Sequence, residues 1–191
     1  MHAQSHLTVE SMTAHAESTA STFLYLLLSL LNLPSSTLSH AASHLGVAQS
    51  FTTLLRAFPF HASNGMMVIP AEITAKHGVN QQEVLTKGGT SKALGEAVFE
   101  FATIANDNLL TARNMFRETG GKVPEEAMPV FASAVSRFPY GVARAECVQI
   151  PVASILGRLE EVNFDVYDSR LQVRDWKLAF RVWRGYYKRT F

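Results

Sequence analysis

Apolar residues recur at helical spacing in every long segment of this chain, and no run of β-branched residues alternates with polar ones to argue a strand. From Thr8 to Leu33 neither proline nor glycine interrupts. Glu10 and Glu17 lie toward the start, and the segment ends in an apolar run from Phe23 to Leu33 before Pro34. The pattern predicts one helix buried nearly all round in its C-terminal half. Ser36 or Thr37 is placed to cap a second helix carrying Leu38, Ala41, Ala42, Leu45, Ala48, Phe51, Thr52, Leu54 and Leu55, which runs to about Arg56 because Pro59 follows. Phe58 to Pro70 holds two prolines and Gly65 around Met66-Met67-Val68-Ile69 and reads as an extended connector.

Pro70 suits the first position of a short helix ending at Lys76-His77-Gly78, and Asn80 caps another from Gln81 to Leu85. Ser91 opens the clearest amphipathic pattern, in which Leu94, Val98, Phe101, Ala102, Ala105, Leu109, Ala112 and Phe116 recur until Gly120-Gly121. Two more helical patterns run from about Pro124 to Arg137 and from Pro151 to Glu161, with the irregular Phe138-Pro139-Tyr140-Gly141 region between them. Asp168 to Lys188 predicts a closing helix with Leu171, Leu178, Phe180, Val182 and Trp183 as its apolar positions. The expected fold class is all-α, in one domain over residues 1–191.

Composition narrows the function. With 47% hydrophobic residues, 191 residues can enclose one sizeable core, yet no apolar stretch reaches the eighteen residues that span a bilayer. A net charge of +1 gives no global field to recruit DNA or RNA. The single cysteine, Cys147, excludes an internal disulfide framework and fits a reducing compartment. Charge is unevenly spread: the first Lys or Arg is Arg56, so no Arg-rich targeting segment is visible at the start. The closing segment carries Arg170, Arg174, Lys177, Arg181, Arg184, Lys188 and Arg189 against Asp175 alone.

Little in the sequence points to catalysis. His40 and His44, one helical turn apart, could share a metal ion, but no third ligand stands at a recognisable spacing, and surface or packing roles are favoured. Gly88-Gly89 and Gly120-Gly121 are breaks between helices rather than phosphate loops, and Cys147 has no neighbouring His. In the terminal helix Trp176, Trp183, Tyr186 and Tyr187 interleave with cations, as suits a lipid headgroup region. Because Trp at helical spacing is usually core, inward packing of these rings is the preferred expectation. Arg181, Trp183, Arg184, Tyr187 and Lys188 are the residues a membrane or partner surface would use.

One block carries a family resemblance. His44-Leu45-Gly46-Val47-Ala48-Gln49-Ser50-Phe51-Thr52-Thr53-Leu54-Leu55-Arg56, followed by Ile69-Pro70, resembles the signature of squalene and phytoene synthases, and so do the Leu159 to Tyr167 run and the Trp183-Arg184-Gly185-Tyr186-Tyr187 ending. The resemblance implies an isoprenoid-synthase-like helical fold, of which this chain would be the C-terminal two-thirds, lacking the family's first helices. Apolar faces such as Leu24, Leu27, Leu28 and Phe51 would then be left uncovered.

In the catalytic members, aspartates on facing helices hold Mg²⁺, which clamps a prenyl diphosphate. The resemblance places one set of these carboxylates at Ala57 and near Phe60 and His61, where this chain reads Arg56-Ala57-Phe58-Pro59-Phe60-His61. No metal and no cofactor is therefore expected. That hexapeptide resembles a non-catalytic branch of the family, the assembly factors of mitochondrial respiratory complex I, with Arg56 and Pro59 within it and Pro70 beyond it as the family-motif residues. The resemblance implies a protein peripheral to the matrix side of the inner membrane that binds complex I subunits or assembly intermediates. Ser50, Thr53, Ala57, Phe60 and His61 are the candidate pocket, less polar than its ancestor and suited to an apolar ligand. A prenyl- or lipid-transferring enzyme and a lipid carrier are the alternatives.

Overall fold

The computed structural model describes residues 6–131, 152–173 and 178–189, and every regular element within them is helical. Helix α1 (Val9–Ala16) begins where Thr8 Oγ1 accepts from the Ser11 N–H, with Glu10 at the positive end of the helix dipole. A π turn over Glu17–Ser21 carries the rod into α2 (Thr22–Leu30). Asn32, at φ 57°, closes it in the left-handed conformation that asparagine tolerates. Ser35, one residue before the cap expected, accepts from the Leu38 N–H to start α3 (Ser36–Arg56).

Short helices follow: α4 (Phe58–Ser63), α5 (Ala71–Lys76) and α6 (Gln81–Lys87). Ser91 caps the long α7 (Lys92–Asn114), as its spacing predicts. Beyond the 3₁₀ turn Glu125–Ala127 and helical residues 128–131 lie α8 (Val152–Glu161), a 3₁₀ turn over Ser169–Leu171, and α9 (Leu178–Lys188). Cys147 and the Phe138–Gly141 region lie outside the described residues.

The spine is α3 against α7. His44 Nδ1 meets Asn108 Oδ1 at 2.8 Å, and Phe51 stacks on Phe101 with ring centroids 4.6 Å apart. As α3 advances α7 recedes, so the two helices are antiparallel. Gly46 lets α3 approach the π turn: an added Cβ would stand 2.7 Å from Ser21 N and 2.8 Å from Ser21 Cα. Ser21, fully buried, donates through Oγ to the Ser43 carbonyl at 2.9 Å. Buried side chains gather in two clusters, one around Phe51, Leu55, Phe58, Phe101 and Leu159, the other around Leu24, Leu28, Leu45, Leu109 and Phe131. Leu156 packs against both.

Four expectations need correction. The leucine-rich end of the first rod is not buried all round: Leu24 and Leu28 are enclosed, but Leu26 and Leu30 are 58% and 80% exposed. A run apolar at every position cannot signal which face meets a neighbour, and α3 covers one side only. Leu24, Leu28 and Phe51 are nevertheless covered and Leu27 is half-buried, so these faces are closed by this chain's own packing. The Phe58–Pro70 connector contains α4, because Pro59 sits in the first turn, where its missing N–H breaks no helical bond. Finally, Asp168 to Lys188 is not one helix, since it opens with a 3₁₀ turn over Ser169–Leu171 that ends in a turn and a bend at Gln172 and Val173.

Candidate functional site

The wall singled out by the sequence is the junction of α3 and α4. Helix α3 loosens at Ala57 (φ −84°, ψ 4°) and resumes at Phe58, while the Ala57 N–H still reaches the Thr53 carbonyl and the His61 N–H the Ala57 carbonyl, each at 3.0 Å. Phe58 is fully buried and meets Tyr167 edge-on, with centroids 5.8 Å apart. Gln172 Nε2 donates to the Arg56 carbonyl at 3.0 Å. The Arg56–His61 segment and the Phe164–Tyr167 run, a hundred positions apart, are thus in direct contact. Pro70, buried, stands at the capping position rather than the first helical one, so α5 begins one residue later than expected, at Ala71; the Pro70 carbonyl accepts from the Ile73 and Thr74 N–H groups.

A cavity of about 320 Å³ opens beside this wall, lined among others by Met12, His15, Ser50, His61, Met67 and Gln81. Of the five residues proposed for a pocket, Ser50 and His61 line it. Thr53 is exposed, Ala57 is half-buried outside the lining, and Phe60 is 66% exposed with its ring edge against His61. The loosening at Ala57 interrupts the regular spacing between α3 and α4, so Phe60 does not continue the face of Ser50, while Thr53, within regular α3, lies at the solvent side of that face. His6, His15, Met12 and Met67 reach the cavity from elements distant in sequence, and spacing alone carries no signal for them.

The electrostatics are those of a neutral site. His61 Nδ1 is buried with no hydrogen-bond partner, and burial pushes the imidazole pKa down. His6 is pushed the same way by burial and then by His15, whose ring lies 5.2 Å away. Among the described residues no carboxylate lines this cavity. Mg²⁺ demands oxygen donors, and the wall offers a methyl group at Ala57 and an imidazole at His61, so these residues do not fit a Mg²⁺-diphosphate clamp. Among the described residues no three His, Cys, Asp or Glu side chains gather to hold a metal ion. Nor do His40 and His44 act as a pair: His40 is exposed and His44 is bonded to Asn108. A wider cleft of about 670 Å³ lies between the start of α7 and residues 162–166, with Lys92, Glu96 and Asp165 on its rim.

On α9 the expectation of inward-packed rings fails for Trp183, Tyr186 and Tyr187, while Trp176 lies outside the described residues. Phe180, Trp183, Tyr186 and Tyr187 are exposed, as are Arg184 and Lys188, while the Arg181 and Val182 side chains lie outside those described.

Comparison with known proteins gives this geometry a context. The family model for squalene/phytoene synthase matches residues 1–177. Among curated proteins, the chain is 30% identical over 188 residues to the rat protein named NADH dehydrogenase (ubiquinone) complex I, assembly factor 6, covering 96% of this chain and 50% of the relative. The human protein of that name is 30% identical over 183 residues, with 96% and 49% covered, and the Drosophila melanogaster homolog 30% over 178 residues, with 93% and 48% covered. The chain spans about half the length of the curated relatives it matches. No solved structure matches.

Proposed function

From the premise that the chain belongs to the squalene/phytoene synthase family, we propose that it is a non-enzymatic member that promotes assembly of mitochondrial respiratory complex I by binding its subunits or assembly intermediates. The observation that carries the non-enzymatic part is the donor set of the α3–α4 wall: Ala57, Phe60 and His61 stand where the family resemblance calls for carboxylates. Ionising an allylic diphosphate separates charge, and without a cation clamp that charge loses its main stabilisation. The assembly role is supported by the names of the relatives, which match nearly the whole of this chain. In this reading the protein works in mitochondria, peripheral to the matrix side of the inner membrane, with Arg56–His61 and the Phe164–Tyr167 run forming one rigid wall.

Deleting the gene tests the proposal. Native gels of mitochondrial membranes should show less mature complex I and more of its intermediates, restored by re-expression of the wild-type chain. Normal complex I in the deleted cells would overturn the reading. A lipid carrier is the second reading, favoured by the cavity beside His61, whose lining includes Met12, Leu54, Met67 and Leu85. A carrier would extract isoprenoid or phospholipid from vesicles while complex I stayed at its normal level in deleted cells.

A further inference from the structure

Helix α9 has a chemistry that the wall and its cavity do not explain. From Leu178 to Lys188 it contains no acid. Phe180, Trp183, Tyr186 and Tyr187 are 59%, 55%, 43% and 71% exposed. At about 100° per residue these four positions fall within an arc of roughly 120°, and Arg184 and Lys188 extend that arc along one edge. The rings are ordered by one another: Phe180 stacks on Trp183 at 5.7 Å, Trp183 meets Tyr187 at 4.9 Å, and Tyr187 meets Tyr186 at 6.0 Å between centroids. At its end, Arg189 pairs with Glu125 and accepts through its carbonyl from the Val123 N–H at 2.9 Å, which fixes the helix to the body. Arg184 and Lys188 make no ion pair among the described residues.

A solvated face accounts for the cations but not for four exposed rings in one arc, whose contiguous apolar area marks a contact surface. An apolar groove on another protein would take the rings and leave the cations without a role. The environment that accepts both is the headgroup region of an anionic bilayer, where Trp and Tyr settle at the polar–apolar boundary and Lys and Arg meet lipid phosphates. We propose that α9 is a membrane-docking helix that lies in the plane of an anionic lipid surface, with the Phe180–Trp183–Tyr187 ladder at the acyl boundary and Arg184 and Lys188 on the phosphates. Eleven residues make about 16 Å of helix, short of the ~30 Å hydrocarbon core, so the contact is in-plane. No described helix is long and apolar enough to cross a membrane. Helix α9 follows the residues matched by the family model, and the inference is independent of the complex I reading.

The test is co-sedimentation of the full chain with phosphatidylcholine vesicles, with and without phosphatidylglycerol, read together with Trp183 emission in a W176F background. Binding and a blue shift are expected only with the anionic lipid, and both are reversed by high salt. At about fivefold per cation, R184Q/K188Q should weaken partitioning about 25-fold. W183A/Y187A should abolish it while the melting temperature of the body is unchanged, because these side chains are exposed. Equal binding to neutral vesicles, no binding at all, or binding indifferent to R184Q/K188Q would each overturn the proposal. So would a dimer that W183A disperses in a chain that ignores vesicles, which would assign the face to a second copy.

Discussion

Gly46 and Gly157 both lie within helices, and replacing each by alanine should move stability in opposite directions. Intrinsic propensity favours alanine by about 1 kcal/mol at either position. At Gly157 nothing stands within 4 Å of an added Cβ, so that gain is kept, and Gly157→Ala should stabilise by about 0.5–1 kcal/mol. At Gly46 the new methyl would meet the Ser21 backbone at 2.7 and 2.8 Å, below any real Cβ contact, and backbone cannot rotate away. Either α3 or the π turn must shift. Overpacking of this kind costs about 2–3 kcal/mol, and disturbing the Ser21–Ser43 hydrogen bond adds about 1 kcal/mol. Set against the propensity gain, the net loss is about 2–3 kcal/mol, which for a chain of 191 residues lowers the melting temperature by about 4–12 °C. Circular dichroism melts and urea titrations of the three proteins measure it. A Gly46→Ala chain as stable as wild type would refute the close approach of α3 to the π turn, and with it the packing that sets the wall's position.

Phe58 and Phe60, two residues apart on the wall, should separate as sharply: Phe58→Ala removes a fully buried ring and costs about 3–5 kcal/mol, while Phe60→Ala stays within about 0.5 kcal/mol. Equal losses in urea titration would contradict the orientation of α4. His61→Leu removes an orphaned buried nitrogen and should stabilise by about 1 kcal/mol at neutral pH. Because burial depresses the folded-state pKa of His61, the wild type loses stability as pH falls below the usual imidazole value, and the leucine variant should lose less. Parallel stability curves from pH 7 to 5 would contradict this. Glu100 is held below the usual carboxylate range by hydrogen bonds from Lys76 (2.8 and 2.9 Å) and His77 (2.7 Å), so its contribution is present at neutral pH and lost as pH falls through its folded value. Glu100→Gln should therefore be less stable than wild type at pH 7 and converge on it in acid, and a constant offset across pH would contradict the assignment.

The long helices were legible because their signals are local. Ser91 and the recurrence from Leu94 to Ala112 define α7, and Pro59 marks the end of α3 within a few residues. What escaped depends on three-dimensional placement. The all-leucine end of α2 has no period to name its buried face, and α9 presents outward the very rings that composition assigns to a core. The α3–α4 wall was legible as chemistry, since alanine at position 57 and imidazole at position 61, where the resemblance implies carboxylates, are a statement about residue types. Its cavity was not, because His6, His15, Met12 and Met67 arrive from other segments, the loosening at Ala57 separates Phe60 from the face of Ser50, and Thr53 lies at the solvent side of α3.

The most direct test of the central claim is to incubate the purified chain with Mg²⁺ and a C15 prenyl diphosphate and to measure pyrophosphate release. A wall built of alanine, phenylalanine and neutral imidazole predicts release no faster than in buffer alone. Sustained release that disappears when Arg56 or His61 is replaced would contradict it.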